Sequence, residues 1–331
     1  TSRGITAYLF SCTDNFTESL EVLLDSVTKP YFTPETVRKE QGIIGQEIGM
    51  YDDNPRTRLY YGLLSAMYEK HPVRIDICGT VASISQITDD ILYTCYNTFY
   101  NLSNMALSVC GDISVDDVLA VADRMLKEQR PIDIIRHYPA EKPQVYRARA
   151  ERRMQVAKPL FSIGIKDTDI SADPMERAKK GVAIRILNDM LYGKTSTFYN
   201  ELYSTGLITP SFGYYNDSDE SYAFNVITGE SADPDEVYRK FIEYIDNTKK
   251  GGLSRAAFER CRRVALADFI KMFDSTEEIA NELVYLAFAG IDIFDYSEII
   301  NSIDYDYLSG VLNSCYKDEF YALSVILPIE T

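Results

Sequence analysis

The period of the apolar positions divides the chain into two stretches in which helices alternate with short strands. Residues 4–12 alternate apolar and polar side chains and predict a strand, followed by an amphipathic helix over 17–28. Thr33-Pro34-Glu35 opens a longer helix, because threonine can cap and a proline in the first turn loses no needed N–H. That helix runs to about 53 and stops before Pro55, and another follows to about 69. Helices over 88–101 and 115–127 flank a predicted strand at 105–110. Further along, 160–166 reads as a strand, and Asp173-Pro174-Met175-Glu176 starts a helix reaching about 191. The start signal recurs at Asp233-Pro234-Asp235-Glu236, and 211–215 with 222–229 reads as a hairpin. Helices at 254–273, 275–289 and 304–316 precede a terminal strand at 321–327. Blocks of strands and helices with hairpin connections predict antiparallel sheets covered by helices, an α+β class.

One stretch of this pattern occurs twice. Residues 84–109 (ISQITDDILYTCYNTFYNLSNMALSV) and 300–325 (INSIDYDYLSGVLNSCYKDEFYALSV) are 216 positions apart and share ten of 26 residues. The matches include Asp90/Asp306, Asn97/Asn313, Tyr100/Tyr316 and the Ala-Leu-Ser-Val ending, where chance gives about one or two. The repeat implies two homologous units: 1–128, a linker 129–144 with three prolines, and 145–331. If the units are of similar length, about 70 residues of the first are expected ahead of Thr1, leaving it incomplete.

Composition narrows the function. No run of 18 apolar residues marks a membrane span, and a net charge of −16 repels the phosphates of nucleic acid and anionic lipid. The six cysteines (12, 78, 95, 110, 261, 315) show no CxxC spacing, which favours free thiols in a reducing compartment. The two histidines, His71 and His137, have no partner at helical spacing. Gly193-Lys194-Thr195 ends like a phosphate loop but has Asn188 where the upstream glycine belongs, so a helix-ending glycine explains it better. No GxSxG elbow is present, and the basic run 147–153 alternates like an edge strand or a solvated face.

Two carboxylates stand apart. Glu40 and Glu47 are seven residues apart, hence within about 20° of one another on a helix, and fall beside Ile43 and Ile44 in the apolar stripe Val37-Ile44-Ile48-Tyr51. Carboxylates on such a face are paired, protonated, metal-bound or at a solvent border. A catalytic zinc takes three protein ligands and an open position, which this chain's residues do not provide alone.

The segment Glu40-QGIIGQ-Glu47-IGMYDDNP, followed by His71-Pro72, Gly79-Thr80, Ile87-Thr88, Tyr100 and Asn104-Met105 through Val109-Cys-Gly-Asp112, resembles the insulinase (pitrilysin) family of zinc metallopeptidases, in its bacterial, processing-peptidase-like form. Thr1-Ser2 with Thr6-Ala-Tyr8 fits the family's first domain, and Phe198-Tyr-Asn-Glu-Leu202 with Gly206-Leu207 its inactive second domain. The resemblance implies an HxxEH helix whose two histidines bind zinc and whose glutamate activates the bound water. It also implies Glu47 as the third zinc ligand, Glu40 as the acidic residue supporting it, and unstructured peptides as substrates. HxxEH is absent here; the family's spacing puts it about 70–80 residues before Glu47, near position −30, where the helix starting at Asp173 also lands when shifted by the repeat. No catalytic residue is therefore expected in this chain, nor tightly bound zinc. The family's substrate-holding arginine and tyrosine are not matched: Tyr203 and Thr209 occupy those surroundings and Tyr214 or Tyr215 lies nearby, so substrate-binding residues stay unassigned. The implied protein is a bacterial cytoplasmic zinc endopeptidase, inactive as this chain alone, which pairs with a second copy or a related peptidase-like subunit. The alternatives are a non-catalytic partner subunit of the same fold and an unrelated acidic binding protein with a duplicated unit.

Overall fold

The computed structural model describes residues 1–329. In chain order the elements are α1 (Phe16–Thr28), α2 (Pro34–Asp52), α3 (Pro55–Met67), α4 (Val81–Ile84), α5 (Asp89–Phe99) and α6 (Val115–Met125). The sheet and its helices follow: β1 (Arg149–Met154), β2 (Leu160–Asp167), α7 (Pro174–Tyr192), α8 (Thr197–Ser204), β3 (Gly213–Ser218) and β4 (Ala223–Glu230). Last come α9 (Pro234–Gly251), α10 (Arg255–Met272), α11 (Thr276–Ala289), α12 (Tyr296–Ser302), α13 (Tyr305–Cys315) and β5 (Tyr321–Pro328). Helices start where side chains can accept orphan N–H groups. Asn54 accepts from Arg56 and Thr57 ahead of α3, Asp173 from Met175 ahead of α7, and Asp233 from Glu236 ahead of α9.

The chain divides into two compact units. One comprises 50–76, 138–270 and 294 onward. Its five-stranded sheet has the order β1-β5-β2-β4-β3, antiparallel except at one edge, where the basic strand β1 runs parallel to β5. Every residue of β2 is buried, so both faces of the central strand are covered. Side chains alternate across a strand. On one face Gly164 meets α3, whose Leu63, Leu64 and Met67 pack with Phe224, Val226 and Ala322. On the other, Asp167 pairs with Lys180 of α7 at 2.9 Å and lies 3.7 Å from the Cys315 thiol of α13.

Lys166 points to the α3 face and is fully buried. Its ammonium donates to the carbonyls of Lys142 (2.7 Å) and Gln144 (3.1 Å), meets Glu141 at 3.5 Å, and sits 4.7 Å from the Tyr68 ring centroid. Glu141 in turn accepts from three successive backbone N–H groups, Glu69, Lys70 and His71, at 2.8–2.9 Å. The latter part of the linker is thereby bound to the sheet. Burial pulls the Glu141 carboxyl up, but those three N–H donors and Lys166 outweigh it and hold it below its usual value. Burial pushes Lys166 down, opposed by the carboxylates of Glu141 and Glu69.

The second unit comprises 1–49, 77–137 and 271–293. Its described core is small: Leu20 and Leu24 of α1 meet Val121 of α6, with Phe10, Phe16 and Met125 at the margin. The strands expected at 4–12 and 105–110 do not form. A strand needs a neighbour to take its backbone hydrogen bonds, and among the described residues of this unit none is a strand. Tyr8 and Leu9 stay exposed, though the Tyr8 hydroxyl reaches that of Tyr100 at 2.8 Å.

Several helices recur at similar spacings along the sequence. The α5 and α13 helices are both 11 residues long and 216 positions apart, and each leads into a three-residue 3₁₀ turn (Leu102–Asn104, Asp318–Phe320). Thr33 and Ser254, 221 positions apart, each cap the N–H three residues on, as do Asn54 and Ser275. Gln41 donates to the Ile87 carbonyl at 2.8 Å, and Arg262, 221 positions later, donates to that of Ile303, 216 after Ile87. Burial differs sharply: α5 buries no residue, whereas α13 buries Leu308, Val311, Leu312 and Cys315.

Two expectations follow. A side chain at Gly164 would place its Cβ 2.6 Å from the Met67 sulfur and 3.0 Å from Leu63. Gly164→Val should thus lower unfolding free energy by about 1–3 kcal/mol, whereas Gly45→Ala on α2, which meets nothing within 4 Å, should be neutral or stabilising; urea midpoints compare them. Glu141, being depressed when folded, contributes stability that is fully present above the unfolded value of about 4.3 and is lost as pH falls through the folded one. Thermal melts should show the native chain losing stability below about pH 4.5 more steeply than Glu141→Gln.

Candidate metal centre

Helix α2 presents both expected carboxylates. Its buried line runs through Val37 and Ile48, and the Gln41 side chain fixes the helix by donating to the carbonyls of Ile84 and Ile87 at 2.9 and 2.8 Å. At 100° per residue Glu40 and Glu47 lie roughly 60–100° round from those two residues. Both are exposed, where the apolar pattern alone placed them within the buried stripe. The cause is that this face carries no cover among the described residues: Ile43 beside them is 51% exposed and Met50 73%.

Other metal-ligand types do not converge there. His71 is buried in the sheet-bearing unit, stacks on Tyr138 (5.2 Å between centroids, 15°), and accepts the Val73 N–H at its Nδ1. It caps the 3₁₀ turn at Pro72–Arg74, a role readable in the His-Pro pair. His137 is exposed in the linker. All six cysteines are free thiols, as expected, but only Cys261 and Cys315 are buried. Burial pushes the Cys315 thiol up to about 11, so it is neither a nucleophile nor a thiolate ligand at neutral pH. Among the described residues no three His, Cys, Asp or Glu side chains are grouped to hold a metal. Two carboxylates do not fit a catalytic zinc by themselves.

A second cluster was invisible in the sequence. On α7, Arg185 and Asp189 are one turn apart; the Arg185 guanidinium pairs with Asp268 of α10 at 2.6 Å. Tyr214 of β3 donates to Asp189 at 2.8 Å. Burial pushes the Asp189 carboxyl up, against the Tyr214 hydrogen bond and Arg185. Between Arg185 and Asp189, Asn188 points into the core and exchanges two 2.7 Å hydrogen bonds with Asn225, which also donates to the Tyr316 hydroxyl at 2.9 Å. Cys261 lies seven residues before Asp268 on α10, as Glu40 lies seven before Glu47 on α2. The 216-residue repeat does not point to Asp268, since it carries Glu47 to Arg263; the 221-residue spacing of the helix caps does.

Tyr214 is engaged by Asp189, while Tyr203 and Tyr215 are exposed, so a substrate clamp has no distinct geometry here. No helix among the described residues is long and apolar enough to cross a membrane.

Comparison with known proteins bears on this arrangement. The profile of the insulinase family, peptidase family M16, matches residues 1–81, and that of the peptidase M16 inactive domain matches 86–264. The zinc protease YmfH of Bacillus subtilis is 38% identical over 317 residues, covering 94% of this chain and 73% of its own length. Among solved structures, an M16-like peptidase from Alicyclobacillus acidocaldarius superposes with a TM-score of 0.89 at 29% identity, over 96% of this chain and 76% of that one. A Helicobacter pylori protease, 18% identical, shares the fold (TM-score 0.81, covering 95% of this chain and 77% of that one).

The ligand count makes an expectation for these 331 residues. After dialysis against metal-free buffer the chain should retain less than about 0.1 equivalent of zinc by plasma mass spectrometry. Retention near one equivalent would show that its own side chains complete a site.

Proposed function

Since the chain belongs to the insulinase family of peptidases, family M16, we propose that it forms the greater part of a zinc-dependent endopeptidase acting on unstructured peptides. In this reading Glu47 is one zinc ligand and Glu40 supports it from the preceding turns of α2. The remaining ligands come from outside these 331 residues, in a longer polypeptide or a partner subunit. The observation that carries it is the open face of α2: two carboxylates seven residues apart, held beside exposed Ile43 and Met50 on a helix anchored through Val37, Gln41 and Ile48. A second helix bearing HxxEH would cover the apolar residues and complete the ligand set.

The two sequence halves, which differ from the interleaved compact units, are in this reading copies of one fold, with a peptidase domain in 1–128, a linker at 129–144, and an inactive domain in 145–331. The paired spacings of α5 with α13 and of Gln41 with Arg262 support it. Free thiols throughout suit a bacterial cytoplasm. The acidic surface suits peptides with basic residues and disfavours nucleic acid. Association with a second copy or a related peptidase-like subunit belongs to the same proposal. The other role open to this fold, a non-catalytic partner subunit, is favoured by one observation: these residues contain no HxxEH.

Zinc content and peptide hydrolysis of the complete native protein separate the two. A peptidase should hold about one zinc, and Glu47→Gln should remove both metal and activity. Glu40→Gln should weaken metal binding by about 10–100-fold. A complete protein without zinc or peptidase activity would identify the partner subunit, and unchanged zinc in Glu47→Gln would remove the ligand assignment.

A further inference from the structure

The spacing that relates α2 to α10 carries Glu47 onto Asp268 and Glu40 onto Cys261. It rests on independent marks: the caps Thr33 and Ser254, the caps Asn54 and Ser275, and the donors Gln41 and Arg262 reaching the paired carbonyls of Ile87 and Ile303. A metal ligand at Glu47 needs two further ligands from a facing element, and one helix supplies a pair only at adjacent turns. In the sheet-bearing unit the helix facing Asp268 is α7. The residues it offers at that spacing are Arg185 and Asp189, in the run Arg185-Ile-Leu-Asn188-Asp189.

We infer that Arg185, Asn188, Asp189 and Asp268 occupy, in this unit, the positions of a metal-site set, and that the Arg185–Asp268 ion pair joins α7 to α10 where a metal would otherwise do so. The inference rests on the proposed reading of Glu47 and of the two units as copies. Each substitution removes one element of metal chemistry. Arginine puts a permanent cation where a neutral donor would bind, and its guanidinium reaches Asp268 directly. Asn188 stands where the central glutamate of the motif would, and an amide cannot take up a proton as a carboxylate base does. Both ends of its side chain are also occupied by Asn225. Asp189 keeps a carboxylate, but Tyr214 holds it from the β3 side. The unit is inactive because its site is closed from within by its own charges, with the helix geometry retained.

Retained geometry is testable by restoring ligands. In the 331-residue chain, Arg185→His with Asp189→His places two imidazoles at adjacent turns facing Asp268. This double variant should bind about one equivalent of Co²⁺ with the intense visible absorption of a low-coordinate site, while the unaltered chain shows none. Adding Asp268→Ala should weaken binding at least about 100-fold. Adding Glu47→Gln instead should leave the cobalt spectrum unchanged, so this result is independent of whether Glu47 is itself a ligand. A double variant with native far-ultraviolet dichroism but no cobalt absorption overturns the inference, as does binding indifferent to Asp268→Ala. If the double variant does not fold, charge reversal decides. Arg185→Asp and Asp268→Arg should each lower the melting temperature and recover it when combined. Absence of recovery overturns the ion-pair role.

Discussion

Strand pairing is the constraint on which the rest of this structure depends. A β-strand cannot satisfy its backbone alone, so a segment with strand character becomes one only beside a neighbour. In the sheet-bearing unit β5 lies between β1 and β2, and β2 between β5 and β4. The Ala-Leu-Ser-Val of residues 322–325 is buried there. The same four residues at 106–109 pair with nothing among the described residues and stay in irregular backbone. Identical chemistry thus yields different structure, and the difference propagates: α13 buries four residues against the layer beside it, and α5 none. Local signals suffice for the helix, since capping by Thr88 and Asp304 is intrinsic to each segment.

The sheet-bearing unit shows what a covered sheet permits. With α3 on one face and α7 and α13 on the other, even a lysine can be fully buried, provided its charge is met. Removing an ammonium from water costs several kcal/mol, recovered only if oxygens replace its hydration. Lys166 finds two carbonyls, a carboxylate and the Tyr68 ring, three of these four in or beside the linker. The linker segment near Glu141 is therefore fixed by what the sheet must bury. Sequence patterning read 129–144 as a connection because its prolines and polar residues lack a period, and it had no means of seeing that residue 166 would require it.

Most helices were legible because their signals are local: Asp-Pro starts at 173 and 233, a Thr-Pro start at 33, apolar periods between them. The hairpin of β3 and β4 and the edge position of the basic strand were legible for the same reason. Pairing partners were not, as the unformed strands at 4–12 and 105–110 show. Glu40 and Glu47 were legible as unusual because they fall in an apolar stripe, and of the alternatives open to such carboxylates the structure shows the solvent border. Arg185 and Asp268 were opaque: a surface arginine and a surface aspartate on different helices look like any solvated charges. Their meaning comes only from the 221-residue correspondence with Glu47.

On the proposed reading, that correspondence relates the chemistry of the two helix pairs, although among the described residues only one of the compact units forms a sheet. Two helices held by a shared metal lose a strong constraint when a ligand changes, and a carboxylate left facing its former partners is repelled by any other carboxylate nearby. On the proposed reading, an arginine in place of one ligand answers both problems, since its guanidinium offers a planar fork to the carboxylate that remains. At half-exposed positions such a pair contributes little stability, on the order of 0–1 kcal/mol. It need contribute no more, because the packing of α7 against β3 and α13 and the Asn188–Asn225–Tyr316 network already hold that helix. On α2 Glu47 stays exposed, and among the described residues no three His, Cys, Asp or Glu side chains are grouped to hold a metal.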